Sequence, residues 1–503
     1  MWSLILTVII SSLGAVLYWI HRRARFRFAD KWPCLQPVYP LIGNAPIVFG
    51  KSDVERFEVI RDVCIASDRI MKAWVGPKLL LVTSHPDFIQ QILGSAHCLE
   101  KPFLYRFAGF EQGLFTAKYH IWKEARKRLN PTFNQRIIRG FVPIFAKCAD
   151  KMVARLSEYS DGETVNIHKY TALCTLEMAC GTTLGSDVLQ REGKEEFEQG
   201  LDQAFNGAAR RMMSVHLYTD VVFRMTRHYK ELMHARKVVC DFFTKLVIER
   251  KQYLSEKCNS NEPQQEDNHK PKILVDQLLS TSQDGKTFTQ EQITDNVYAV
   301  ITGAVDTTGL VTAHACLFLS FYPEVQDRLY AEINQHFPTG PSEEVEFSPD
   351  ILKQLTYMEM FLNEVQRHWT VVPAIARENI AEIEIDGVKV PPGNIFCLSF
   401  YALHRRQDIW GPDADRFDPE NFSEERVKKR HPFAFVPFSG GNRICLGWRY
   451  ASFSMKTVMV NLVRNFKFST KIKQEDIRFK HDLTLKLPFE HWVQICKRKP
   501  TTA

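Results

Sequence analysis

Residues 438–447 read FSGGNRICLG, and this stretch decides the fold. Phe438, Gly441, Arg443, Cys445 and Gly447 occupy the fixed positions of the pattern FxxGxRxCxG. Five fixed positions at ordinary residue frequencies arise by chance in about one chain of this length in ten thousand, or fewer. As chemistry the stretch reads as a nest for a thiolate. Gly441 and Gly447 allow tight turns and close approach of a planar ligand. Backbone N–H groups aimed at the sulfur stabilise its anion, and Arg443 supplies positive charge beside Cys445. The following run, WRYASFSMKTVMVNLVRNF, patterns as a helix whose N-terminal dipole favours the same anion. The plain alternative is a buried cysteine in a glycine turn; the motifs upstream argue against it.

With those residues in place the chain resembles the cytochrome P450 superfamily, the haem-thiolate monooxygenases, and the resemblance runs over nearly its whole length. It implies a mainly α fold with a minor β-sheet region, haem lying between a long distal helix and the helix after the cysteine loop. It also implies that Cys445 is the axial ligand of the iron of haem b. The stretches PLIGNAP (40–46), FDPENF (417–422) and KRHPFAF (429–435) lean toward the fatty-acid ω-hydroxylase branch and its insect expansion. Glu364 and Arg367 match the family's ExxR pair, 78 residues before Cys445 for the arginine. They share a helix face at i, i+3, and by resemblance they form a structural ion-pair network behind the haem. ExxR alone means little, and Glu58–Arg61 is a decoy. Asn421 stands where the family often has Arg, which puts the third member of the network in doubt. Trp122 and Arg126 match WxxxR, and Arg377 lies ten residues past Arg367. With Arg443 they are implied to bind the haem propionates, a task suited to cationic donors. For Trp122 a core aromatic, and for Arg377 a solvated arginine, are the bland readings.

On the oxygen side, Gly303-Ala-Val-Asp306-Thr307-Thr308 sits in a long apolar helical pattern. Small residues let a helix pass close over a flat cofactor, and a Thr hydroxyl can disturb the i−4 ladder. A mid-helix acid in an apolar run is costly unless it has a partner or a task. The functional reading is proton delivery through Thr307, with Asp306 exchanging protons with solvent; the other is a salt bridge from Asp306 to a neighbouring helix. Ala304 replaces the usual Gly, so the groove is expected to be narrower. Gly303 stands where the ω-hydroxylase branch can carry a Glu that esterifies the haem, so the haem is expected to be held only by Cys445 and non-covalent contacts.

The rest of the chain sets the context. It has 503 residues, 45% hydrophobic, with 35 Phe, which excludes a disordered or small disulfide-stapled protein. Residues 1–20 carry no charge and are long enough to cross a bilayer as a helix, and Arg22, Arg23, Arg25 and Arg27 follow at once. This reads as a single uncleaved anchor with the body in the cytosol, a placement that for this family means the endoplasmic reticulum membrane. The expected organisation is 1–28 anchor and basic flank, 29–50 proline-rich stiff spacer, and 51–503 haem-binding monooxygenase domain. The twelve cysteines show no metal or disulfide spacing. Strand-like pieces lie at 79–83, 383–389 and 483–493, and residues 201–225 are by analogy an access lid. Of the formal net charge of +7, residues 21–31 carry +4, 117–140 carry +6 and 423–456 carry +5, leaving −8 elsewhere. Such clustering points to an anionic membrane and an acidic electron donor and not to nucleic acid. No flavin or nicotinamide fingerprint is present, so electrons are expected from NADPH–cytochrome P450 reductase, with cytochrome b5 as a second donor, and O2 and a hydrophobic small molecule as substrates. The rivals are a reductase-independent haem-thiolate isomerase or dehydratase, and a non-catalytic haem-binding sensor.

Overall fold

The computed structural model describes residues 13–14, 17–18, 24–39, 42–185, 191–259, 273–280, 288–338, 340, 343 and 345–499. The greater part of the expected anchor and of the polar stretch 258–272 lies outside them. Twelve longer helices carry the architecture: α1 (Asp53–Ala66), α2 (Pro86–Gly94), α3 (Tyr119–Leu129), α4 (Val142–Leu156), α5 (Ile167–Leu184), α6 (Lys194–Met213), α7 (Arg227–Asn259), α8 (Leu274–Ser280), α9 (Gln290–Phe321), α10 (Pro323–His336), α11 (Thr356–His368) and α12 (Trp448–Asn465). The strands are β1 (Ile70–Val75), β2 (Lys78–Thr83), β3 (Glu163–Asn166), β4 (Ala374–Glu378), β5 (Ile383–Ile385), β6 (Val388–Val390), β7 (Ile395–Ser399), β8 (Phe466–Ser469), β9 (Lys480–His481), β10 (Leu485–Lys486) and β11 (Trp492–Lys497). The chain is thus mainly helical with small sheets, as expected.

Helix α9 is the central beam. Thr289 caps it through a box with Gln292, which satisfies orphan donors of its first turn. Among the described residues it is the one helix long and apolar enough to cross a membrane, yet two thirds of its apolar window is buried in protein. It packs closely on α5: a Cβ at Gly309 would stand 3.0 Å from the Ala172 Cα. Around this contact α4, α5, α10, α11 and α12 assemble one large apolar cluster including Phe145, Phe318, Phe361 and Val458. A second cluster joins α5, α7 and α8 to the first half of α9.

The four-stranded sheet has the order β1-β2-β7-β4. Its parallel pair sets Leu80 opposite Ile395, so distant segments form one floor beside the helices. The strand expected at 383–389 is the hairpin β5–β6, which turns at Asp386 and Gly387. The strand expected at 483–493 splits into β10 and the start of β11. The 29–50 stretch departs from a stiff spacer. It folds into short turns and lies along β1, with the Lys72 N–H donating to Pro33 O and the Leu35 N–H to Lys72 O, both at 2.8 Å. Unpaired strand-edge groups take up such a segment.

Candidate active site

One cavity of about 360 Å3 collects the greater part of the motif residues. Its walls include Gly303, Ala304, Thr307 and Thr308 of α9, Val371, Val372 and Ile375 before and in β4, Pro437 to Ser439 and Arg443 to Gly447 of the cysteine loop, and Trp122 and Arg126 of α3. Cys445 opens onto it from one side and Thr307 from another. Phe438 also lines it, and its carbonyl accepts the Cys445 N–H at 2.9 Å.

The cysteine loop needs glycine at 441. That residue has φ +65°, and a Cβ there would lie 1.8 Å from the Leu93 carbonyl oxygen. Gly447 is different: its backbone is unstrained, and its N–H points at the sulfur. Burial pushes the Cys445 thiol up, against that N–H and Arg126; a coordinating metal deprotonates such a thiol outright. The cation beside the sulfur is therefore Arg126, whose Nη1 donates to Ile444 O at 2.9 Å. Arg443, expected in that role, instead lies over the Trp122 ring at 4.3 Å and donates to Ala117 O at 3.3 Å.

Arg377, Arg443 and Lys101 crowd one end of the cavity. Burial, then Arg377, pulls Arg443 down to about 9, and burial with both arginines holds Lys101 well below the usual lysine range. The Nε and Nη1 of Arg443 are buried without a partner, a costly arrangement unless an acceptor is supplied. An apolar slot with a thiol at its wall and orphaned cationic donors at one end suits an apolar planar group bearing carboxylates, which is what haem is. Lys101 has no motif to announce it. Its Nζ donates to Phe115 O and lies 4.4 Å from the Tyr105 ring.

Glu364 and Arg367 are both fully buried behind the loop. Their fork-on-fork pairing has two 2.7 Å bonds. Arg367 also donates to the carbonyls of His404, Ala414 and Arg416 at 2.9, 2.7 and 3.1 Å. Asn421 does take the third place: its Nδ2 donates to Glu364 Oε1 at 3.1 Å, and its own carbonyl accepts from Arg426 at 3.1 Å.

Asp306 and Thr307 are adjacent in sequence but point apart, as residues about 100° apart on a helix do. Thr307 faces the cavity and donates to Gly303 O at 2.7 Å. Asp306 accepts from Thr484 Oγ1 at 2.6 Å and pairs with Lys486 Nζ at 3.0 Å, so the acid is salt-bridged, but to the hairpin β9–β10 and not to a neighbouring helix. Thr175 and Thr171 of α5 donate to the Val305 and Gly309 carbonyls at 3.1 and 2.8 Å, gripping α9 on both sides of the pair. Ala304 lines the cavity, and a Cβ at Gly303 would meet nothing within 4 Å.

The loop 109–117 closes one flank. Asp295 accepts the Gln112 N–H at 2.9 Å and Asn296 the Leu114 N–H at 3.2 Å, while Phe110 stacks on Tyr298 at 3.6 Å. No residue of 201–225 lines the cavity. Leu217 and Phe223 there pack into a small core with Leu232, and Val221 and Met225 are exposed.

Comparison with known proteins agrees with this geometry. A family model described as cytochrome P450 matches residues 33–491. The chain is similar to the probable cytochrome P450 313a4 of Drosophila melanogaster, 28% identical over 92% of each chain. It is also similar to cytochrome P450 4c21 of Blattella germanica, 29% identical over 95% of each. Human cytochrome P450 4V2 is 27% identical over 99% of this chain and 96% of its own.

Proposed function

The chain belongs to the cytochrome P450 family and is a haem-thiolate monooxygenase; from that premise we propose that it is a membrane-anchored enzyme that hydroxylates a hydrophobic small molecule with electrons from NADPH–cytochrome P450 reductase. The observation that carries this reading is a mostly apolar cavity with the Cys445 thiol and the Thr307 hydroxyl on its walls.

The division of labour follows from the side chains. Cys445 ligates the iron, and Phe438 holds the loop that presents it. Trp122, Arg126, Arg377 and Arg443 take the carboxylates, with Lys101 added by the geometry. Glu364 and Arg367 tie the backbone behind the loop. When bound, the haem supplies reductive activation of O2 and oxygen insertion into a C–H bond; the protein orients, excludes water and moves protons. Val371, Ile375, Ala304 and Leu114 give the substrate an apolar bed. Thr307 hands a proton into the cavity and Asp306 resupplies it from outside.

Residues 1–28 serve as anchor and basic flank, 29–50 as the connection to the domain, and 51–503 as the domain. The reductase meets the cysteine side. There Lys428 and Lys429 are spent on Glu424 and Glu425 and Lys456 is buried, which leaves Lys118, Lys123, Lys127, Arg136 and Arg449 with the half-exposed Trp448 for docking. Docking through these is salt-sensitive, and cytochrome b5 is a second donor to the same face.

The test is a ferrous carbon monoxide spectrum, then NADPH turnover with added reductase over a panel of hydrophobic compounds that give type I binding spectra. A thiolate Soret band with product formed per NADPH is expected. The band without NADPH consumption on any binder overturns the reading in favour of an isomerase or a sensor.

A further inference from the structure

Asp306 is placed where a proton-handling group is of use only if something governs its position. It lies in the apolar middle of α9, yet its carboxylate is turned away from the cavity that Thr307 faces. Both oxygens are engaged by the C-terminal hairpin β9–β10: Thr484 Oγ1 at 2.6 Å on one and Lys486 Nζ at 3.0 Å on the other. Neither end is sealed, since the side chains of Asp306 and Lys486 keep 18% and 16% of their exposure. On this face stand His168 of α5, Asp202 of α6, and Asp482 beside the hairpin, and Phe205 of α6 covers Lys486 at 5.0 Å. His491 and then His314 stack inward from His168 at 5.1 and 5.2 Å.

We propose that Thr484 and Lys486 are positioning residues for Asp306, holding its carboxylate on the α5–α6–hairpin face, and that solvent protons reach Asp306 from that face. The proposal rests on the monooxygenase reading above. The cycle balances in protons. A hydronium ion arriving on this face gives its proton to the Asp306 carboxylate and leaves as water, which releases Lys486, still an ammonium. Neutral Asp306 passes its proton to the Thr307 side and, once anionic, is recaptured by Lys486 and Thr484.

The charges fit that sequence. Burial opposes the Lys486 ammonium, but the Asp306 anion, with Asp482 and Asp202 beyond it, raises its pKa, so Lys486 is charged while it is paired with Asp306. Burial lowers the His168 imidazole, against Asp306 and Asp202, so it stands neutral near pH 7 and fit to pass a proton. The grip of Thr171 and Thr175 on α9 keeps the backbone still, so that side-chain rotation alone moves the acid between its two sides.

The test compares holoenzymes carrying Lys486→Met, Thr484→Val and Lys486→Arg with the unaltered protein. Both Lys486→Met and Thr484→Val are expected to keep the ferrous carbon monoxide band and type I binding, while NADPH spent per product rises about tenfold and the solvent isotope effect on that ratio changes. Lys486→Arg is expected to restore most of the coupling. A stability cycle of Asp306→Asn with Lys486→Met, read from thermal melts, is expected to be non-additive. Unchanged coupling and isotope effect in both disrupting variants, whatever their melting temperatures, overturns the proposal. If the unaltered protein itself consumes no NADPH, the monooxygenase reading fails first and this one falls with it.

Discussion

Arg367 spends every N–H it has, and the accounting predicts what happens when it or Glu364 is replaced. Of its five donors two go to Glu364 and three to the carbonyls of His404, Ala414 and Arg416. Glu364 in turn accepts the Asp418 N–H at 2.8 Å and the Asn421 amide at 3.1 Å. Glu364→Gln keeps the shape but leaves a fully buried guanidinium short of its counter-charge, a loss of about 3–5 kcal/mol for a broken buried pair. Removing both charges together, as Glu364→Met with Arg367→Met, ends that imbalance, and for an ordinary buried pair it is often neutral. Here it orphans three carbonyls at about 1–3 kcal/mol each, so the double variant is expected to be the least stable of the set, by enough to consume much of an ordinary domain's margin of about 5–15 kcal/mol. The assay is urea titration of the holoenzyme followed by the thiolate band of the ferrous carbon monoxide form, with midpoints and slopes compared. A double variant within about 1 kcal/mol of the unaltered protein would falsify the carbonyl accounting and reduce Arg367 to half of a dispensable ion pair.

Three further outcomes follow from the cavity. Arg443→Ala is expected to weaken haem retention about tenfold or more, the worth of one charge-assisted hydrogen bond, measured by transfer of haem to apomyoglobin; unchanged retention removes Arg443 from the carboxylate end. Because Lys101 is held low by burial and by Arg377 and Arg443, loading of a dicarboxylate porphyrin takes up a proton there, and its affinity is expected to fall as pH rises above neutrality and to lose that part of the slope in Lys101→Met. Gly303→Glu puts a carboxyl into open cavity space, and acid denaturing chromatography is expected to show haem eluting with that variant and free of the unaltered chain.

A fourth concerns pH and the loop at the cavity flank. Burial raises the Asp295 carboxyl to about 6 against the Gln112 N–H. A carboxyl raised on folding binds its proton more tightly in the native state, so its contribution is fully present below the unfolded pKa and lost as pH rises through about 6. Asp295→Asn, which keeps an acceptor for Gln112, is expected to raise the melting temperature at pH 7 relative to the unaltered protein and to close that gap toward pH 4. A gap that widens on acidification contradicts the assignment.

How much of this was legible in the sequence varied with the kind of contact. Cys445, Arg377, Trp122 and Thr307 announce themselves because the chemistry there needs a residue type at a fixed spacing, and the cavity collects them. Glu364 and Arg367 could be paired by helix geometry. The three carbonyls they support could not be foreseen, since backbone acceptors leave no mark on the side-chain code. Thr484 and Lys486 lie 178 and 180 residues past Asp306 in a two-residue-wide hairpin with no pattern of its own, so the partner of the acid was open until the chain was folded. That Arg126 and not Arg443 is the cation beside the sulfur has the same origin: both are near Cys445, and only packing against Trp122 decides which one faces it. The 201–225 stretch is an access lid only by analogy, and its apolar side chains, such as Leu217 and Phe223, serve a small core.

Helix α9 holds the loop 109–117 at Asp295 and Asn296 and carries the acid Asp306 eleven residues on and about 16 Å along the same axis. Two events that chemistry would treat separately, the opening of a flank and the arming of an acid, are thereby mounted on one shaft. Because Thr171 and Thr175 hold that shaft on both sides of Asp306, the flank and the acid share one rigid element and keep one fixed spacing.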